Sequence, residues 1–241
     1  MIGEHPSAGG EASTRPSVTV SYAQTLDGRV ATTTGESKWI SCPDSLRFAH
    51  EMRASHDAVL VGAGTACKDD PRLTVRHVPG TSPLRVVVDS TLRTPPYAAV
   101  LADGAAPRTV LAVTDRAPEE RREKVHSLGA IVMNLPSGLD GRVDLAALLG
   151  ALVEFGIGSV MVEGGATLIT GFFRAGLVDR LAVCVAPKIL GEGIEAIGDL
   201  GIRDLSRSLI LADAAVEPYG VDLVLSGRIE YPEGRTGSGM N

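Results

Sequence analysis

The residues most able to do chemistry lie in Ser159–Leu168, SVMVEGGATL, where an apolar run ends in an acid, two glycines follow, and a helical pattern begins at once. A strand–turn–helix of this kind turns free backbone N–H groups toward whatever sits before the helix, and glycine lets the backbone come close to it. That is phosphate-binding chemistry, to which Thr167 can add a hydroxyl; a plain strand-to-helix turn uses the same glycines. Two other stretches are polar. Thr25–Arg29 (TLDGR) carries an Asp-Gly pair suited to a left-handed turn, and a turn alone explains Asp27 and Gly28. Thr65–Arg76 (TACKDDPRLTVR) sets adjacent carboxylates and three cations around a proline, the pattern of an exposed charged loop. Asp69-Asp70 by itself defines neither a metal site nor an acid/base pair.

Several chemistries are disfavoured. Val61–Thr65 (VGAGT) is the first glycine-bearing turn and lacks the third glycine of a dinucleotide fingerprint. There is no GxxxxGK[ST] run and no GxSxG elbow. The cysteines, Cys42, Cys67 and Cys184, are odd in number and widely spaced, so we expect small reduced residues rather than a disulfide framework. The histidines are scattered and no HExxH appears, so no metal is expected. A net charge of -6 and 4% aromatics speak against a nucleic-acid partner.

These stretches need a scaffold. The 241 residues carry 44% hydrophobic residues, enough for a sizeable core. We expect polar, flexible tails at 1–17 and 232–241 around a single domain at 18–231, with neither an apolar leader nor a membrane span, and a cytoplasmic location. Val18–Ala23 reads as a first strand. Ser41 reads as an N-cap, with Pro43 in the first turn, of a helix running to about Ala54 that buries Leu46, Ala49 and Met52 or Arg53. Ala58–Val61, Val86–Val88, Val110–Val113, Ala130–Met133 and Ser159–Val162 are short apolar runs, suited to a parallel sheet covered on both faces. Helical patterns at Glu119–Leu128, Leu145–Phe155 and Ala166–Ala175 separate them, the last closed by Gly176. Arg180–Ala186, Ser208–Val216 and Asp222–Tyr231 follow without an intervening helix, so the sheet should end in antiparallel pairs.

Taken together, TLDGR, Gly35–Ser41 (GESKWIS), Arg53-Ala54, VGAGT, Asp69–Arg76 (DDPRLTVR), Val86–Ser90 (VVVDS), Val162–Leu168 (VEGGATL), Gly176–Asp179 (GLVD) and Ala186–Gly191 (APKILG) resemble the reductase family of riboflavin biosynthesis. The resemblance covers nearly everything between the tails. It implies an α/β fold of the dihydrofolate-reductase-like kind: a mixed, mostly parallel sheet with antiparallel C-terminal strands and helices on both faces. It also implies NADPH-dependent (NADH being possible) reduction of a ribosylamino-pyrimidine 5′-phosphate to its ribitylamino product, by hydride transfer to ribose C1 of the ring-opened imine.

Carried over residue by residue, the resemblance puts the cofactor along Ala23, Trp39, Thr65, Asp69, Ser90, Gly164, Gly165, Ala166, Thr167 and Leu168. Ser90, Arg93 and Arg116 are candidate partners of a 2′-phosphate. Ser37, Arg53, Leu73, Arg76 and Glu163 would face the substrate, and Glu163 and Asp69 would be the catalytic acids. The guanidinium groups of Arg53 and Arg76 suit a phosphate, which a planar fork can bind bidentately. Ser21 stands where the bifunctional bacterial members carry a lysine, which leaves open whether the substrate is the diamino-pyrimidinone or its deaminated uracil counterpart. The family implies a homodimer, for which Asp179–Ala186 and Asp222–Tyr231 are the candidate interface; from the length of 241 residues we expect a deaminase on a separate chain. The competing readings are a dihydrofolate-like or secondary-metabolic reductase on the same fold, and a non-catalytic nucleotide-binding module.

Overall fold

The computed structural model describes residues 14–232; most of the two expected tails lies outside them. The described residues form a nine-stranded sheet in the order β10-β11-β8-β1-β7-β3-β4-β5-β6 and a small ribbon, β2–β9. The strands are β1 (Ser17–Thr25), β2 (Arg29–Ala31), β3 (Ala58–Gly62), β4 (Leu84–Val88), β5 (Thr109–Val113), β6 (Ile131–Asn134), β7 (Ser159–Gly164), β8 (Arg180–Ala186), β9 (Ile194–Glu195), β10 (Ile210–Tyr219) and β11 (Asp222–Glu230). The helices are α1 (Pro43–Ala54), α2 (Ala63–Lys68), α3 (Glu119–Ser127), α4 (Leu145–Glu154) and α5 (Ala166–Arg174). This is the mixed, mostly parallel sheet expected of a dihydrofolate-reductase-like fold. Strand β8 still runs parallel to β1; within the nine-stranded sheet the antiparallel pairing is confined to β11 against β8 and β10, and the β2–β9 ribbon is antiparallel as well.

The apolar runs sit in the sheet centre because both of their faces are covered. Val18, Val20, Leu60, Val86, Val110 and Val160 pack with Leu148 and Leu152 of α4 and Phe172 of α5. Val59, Val61, Val87 and Leu111 point the other way, toward Ala66 of α2 and Val125 of α3. Helix α1 covers the same second face further along, where Phe48 and Met52 meet Met161, Ala182 and Cys184. Continuous apolar strands are what such a double cover requires.

Helix α1 differs from expectation in two ways. Its N-cap is Cys42, not Ser41, and the cap side chain bonds to no backbone N–H of the first turn. A carboxylate from β11 takes over: Asp222 Oδ2 accepts from the Cys42 N–H and the Ser45 hydroxyl, each at 2.7 Å. An anion at a helix N-terminus is favourably placed. The buried face is Ser45, Phe48 and Met52, one residue out of step with Leu46 and Ala49, and Leu46 is exposed. Docking against β7, β8 and β11 sets that rotation, which is invisible to a periodicity that both faces nearly satisfy.

The stretch after β3 departs further. Residues 63–68 form the short helix α2 instead of joining a charged loop. The chain then turns through Asp70 (φ +43°) and Leu73 (φ +53°), unusual backbone for residues with side chains. Neither β2 nor β9 was foreseen, since strands of three and two residues carry too little pattern.

Candidate functional site

A cavity of about 430 Å³ opens at the C-terminal ends of the central strands. Tyr22 and Ala23 of β1, Glu163 and Gly164 of β7, and Gly165 and Ala166 at the start of α5 form its floor. Gly64, Thr65, Lys68 and Asp69 form one wall, continued by the segment bearing Gly35, Ser37 and Trp39, which Lys68 meets at the Thr34 carbonyl, and by the β2–β9 ribbon. Ligands of open α/β sheets bind in this position, where strand ends free the following loops for contact.

The glycine turn is where the backbone comes closest. Gly165, the N-cap of α5, has φ +81°, and a Cβ there would lie 3.4 Å from the Thr65 hydroxyl and 3.8 Å from the Gly62 backbone. The dihedral calls for glycine, while the packing would allow a Cβ in ordinary contact. Ala166, the first residue of α5, lines the cavity together with Thr65, and the first N–H groups of a helix have no partner within it.

On the substrate side, Arg53 in the last turn of α1 reaches Glu163 at the end of β7. The two side chains are 12% and 14% exposed; Nη2 donates to Oε2 at 2.6 Å and Nε donates to Oε1. Burial pulls the Arg53 guanidinium down, but the charge and hydrogen bonds of Glu163 outweigh it, so the cation is held above its usual range. Arg53 Nη1 also donates to the Thr74 carbonyl at 3.2 Å. The Arg76 backbone N–H donates to His50 Nδ1 at 3.0 Å, and the Arg76 guanidinium donates to the Thr74 hydroxyl at 2.6 Å. Partial burial and then the neighbouring charges of Arg53 and Arg72 lower the Arg76 pKa. Three cations thus gather around a strained loop, with one acid between them and the cavity.

The remaining assignments divide. Ala23, Ser37, Trp39, Thr65, Asp69, Glu163, Gly164, Gly165 and Ala166 line the cavity together. Asp69 lies at its lip, where burial raises the carboxyl against the opposing pull of Lys68 and Lys38. Trp39 has φ +67° and is 80% exposed, its carbonyl accepting from Lys188 Nζ. Leu73 is 1% exposed with its side chain in the core beside Val61 and Val87, so only its backbone can face a ligand. Leu168 is buried beneath Gly62, and Thr167 is exposed; neither lines the cavity. The Ser90 hydroxyl accepts from the Val143 N–H at 3.0 Å, which ties it to the loop after β6. Arg116 donates to the Gly141 carbonyl at 3.0 Å, and Arg93 is exposed. Ser21 is buried on the side of β1 that Ala23 shares, facing α1.

Sequence reasoning missed Tyr22, Gly35, Lys68 and the β2–β9 ribbon. For Lys68 a signal existed: it stands three residues after Thr65, which is one helix face, but the stretch read as a loop. The TLDG acid also does more than turn the chain. Asp27 accepts from the N–H groups of Leu190 and Gly191, at 3.1 and 2.6 Å, and thereby joins TLDG to the APKILG segment that precedes β9.

Fold and site define an α/β protein with a mixed, mostly parallel sheet and a ligand cavity at its strand ends. The chain belongs to the RibD C-terminal domain family, which matches residues 16–225. It is 43% identical over 212 residues to the riboflavin biosynthesis protein RibD of Aquifex aeolicus, covering 88% of this chain and 57% of that protein. It is also 43% identical over 220 residues to the 2,5-diamino-6-ribosylamino-4(3H)-pyrimidinone 5′-phosphate reductase of Methanothermobacter thermautotrophicus, covering 86% of this chain and 99% of that one. Among solved structures, Acinetobacter baumannii RibD superposes with a TM-score of 0.78 at 27% identity, over 90% of this chain and 58% of that chain. The chain therefore spans little more than half of the RibD proteins and nearly all of the Methanothermobacter enzyme.

Proposed function

We propose that this chain reduces a ribosylamino-pyrimidine 5′-phosphate to the ribitylamino compound in riboflavin biosynthesis, using NADPH. The observation that carries the reading is one cavity with two different walls. A glycine turn backed by Thr65 meets one side, and Glu163, held from behind by Arg53, lines the other. The glycine turn fits a dinucleotide phosphate, since Gly165 and Thr65 leave room for close approach to backbone N–H groups. When bound, the nicotinamide supplies the hydride that reduces ribose C1 of the ring-opened imine.

The chain's own residues bind and orient. Arg53, anchored by Glu163 and the Thr74 carbonyl, presents a fixed cation at the substrate end, and Arg76 adds a second for the 5′-phosphate. Glu163 spends an oxygen on each of two Arg53 nitrogens, and its remaining lone pairs accept from substrate hydroxyl or amino groups. Asp69, raised by burial at the lip, is the group better suited to exchange a proton. Ser37 and the Leu73 backbone complete the substrate side. Holding two reactants in register is the main catalytic task here, and it needs no nucleophile.

The partner is a second copy of the chain, in the cytoplasm, joined through β10 and the outer face of β11. Ile210 and Val216 of the edge strand, Leu223 of its neighbour and Val221 in the turn between them are exposed there. Of the two expected segments, Asp179–Ala186 contributes little, because β8 lies inside the sheet with Ala182, Val183 and Cys184 buried. No described helix is long and apolar enough to cross a membrane.

The test is turnover. Purified chain is mixed with NADPH and, separately, the 2,5-diamino-pyrimidinone and the 5-amino-uracil ribosylamino phosphates. NADPH oxidation with one of them is expected, the preferred one naming the substrate; no oxidation with either overturns the reading.

A further inference from the structure

Lys68 is the one cation among the described residues that line the cavity; the other charged groups there are Asp69 and Glu163. Glu163 is already paired with Arg53, which leaves Asp69 as the acid beside an anionic ligand, so the wall that receives it needs a compensating charge. Lys68 follows Thr65 by three residues on α2, which puts both on one helix face. Thr65 touches the Gly164–Gly165 turn, and Lys68 continues the same face one turn onward. Its ammonium makes one hydrogen bond, a 3.3 Å contact to the Thr34 carbonyl. Three N–H donors are available, so two remain for a ligand.

The place of that ammonium is reserved by glycine. A Cβ built on Gly35 would lie 1.6 Å from Lys68 Nζ and 3.0 Å from Cε, and Gly35 has φ +82°. Any side chain at position 35 would therefore displace the ammonium.

We propose that Lys68 is a ligand-binding residue of this cavity, its ammonium donating to a phosphate oxygen of the dinucleotide cofactor. The inference rests on the cofactor reading above and adds to it the residue that sets affinity on the open wall. Gly35 then serves the site indirectly, as a positioning residue for Lys68.

NADPH binding to the intact chain is titrated by the change in nicotinamide fluorescence, at low and at high salt. Lys68→Met should raise the NADPH Kd about tenfold at low salt, the range of a lost charge-assisted hydrogen bond. The gap should narrow at high salt, where screening weakens the contact in the unaltered chain. Lys68→Arg should keep most of the affinity. Gly35→Ala should weaken binding in the unaltered chain and add less in the Lys68→Met background. An unchanged Kd in Lys68→Met overturns the inference, as does a change confined to substrate KM. If the unaltered chain binds no NADPH at all, the cofactor reading falls and this inference with it. If the unaltered chain binds and turns over while Lys68→Met behaves alike, only the inference falls.

Discussion

The two walls of the cavity are built in opposite ways. On the α1 side only Glu163 reaches the cavity, and the groups behind it are tied down: Arg53 is paired with Glu163 in near-burial, His50 is fully buried, and Leu73 is locked in the core. On the α2 and ribbon side, Trp39 is exposed, Lys68 makes one long hydrogen bond, and the ribbon strands have three and two residues. The ribbon is secured through polar contacts instead, the Arg29–Glu195 bridge at 2.7 Å and the Asp27 carboxylate under Leu190 and Gly191. The Thr25 hydroxyl bond first, and those backbone bonds after it, hold Asp27 well below the ordinary carboxylate range. A small rigid phosphate ester is best met by preorganised cations, because alignment is then complete before the ligand arrives. A long dinucleotide makes many weak contacts and can be met by a wall that it helps to order.

This contrast can be broken most sharply at Arg53. Arg53→Ala leaves Glu163 partly buried and unpaired, and we expect a loss of about 4 kcal/mol in denaturant unfolding together with loss of turnover. Replacing both partners by apolar residues of similar volume should restore most of the stability and none of the activity. A loss below about 1 kcal/mol in the single variant would show that the rigid wall is held some other way.

A second measure of the rigid wall is its response to pH. Burial first, then Arg53, Arg76 and His77, push the His50 imidazole down to about 4. The unfolded chain takes up that proton near pH 6.5 and the folded chain resists it, so stability is fullest above 6.5. It should decline by roughly 3 kcal/mol as pH falls from 6.5 to about 4, and His50→Gln should flatten that slope. Equal slopes in the two proteins would remove His50 from the account.

The smallest effect is expected on the open wall. Gly165→Ala should cost about 1 kcal/mol of stability for the positive φ. The NADPH-dependent rise in Tm should shrink, since relieving the positive φ shifts the backbone that approaches the ligand. If substrate affinity fell and cofactor affinity did not, the roles of the two walls would have to be exchanged.

Most of the sheet was legible because its strands are continuous apolar runs that only a doubly covered sheet accommodates, and the helices between them have clear ends such as Gly176. Short-range pattern failed where an element is too short to carry a period, as in α2, β2 and β9, or where two faces compete, as on α1. The VEGGATL turn could be recognised locally because a strand end, two glycines and a helix start are adjacent in the chain.

By itself the sequence determined the kind of sheet, the glycine turn and, through its ordered motifs, the family. Only the tertiary structure decided the partners. It brought Arg53 to Glu163 across 110 residues, Asp222 to the start of α1, and Asp27 to the segment before β9. It also turned Lys68 from one charge in a polar stretch into the cation of the cavity. The physical reason is that charge and hydrogen-bond chemistry act over a few ångströms in space, and distance along the chain carries no record of which groups will meet.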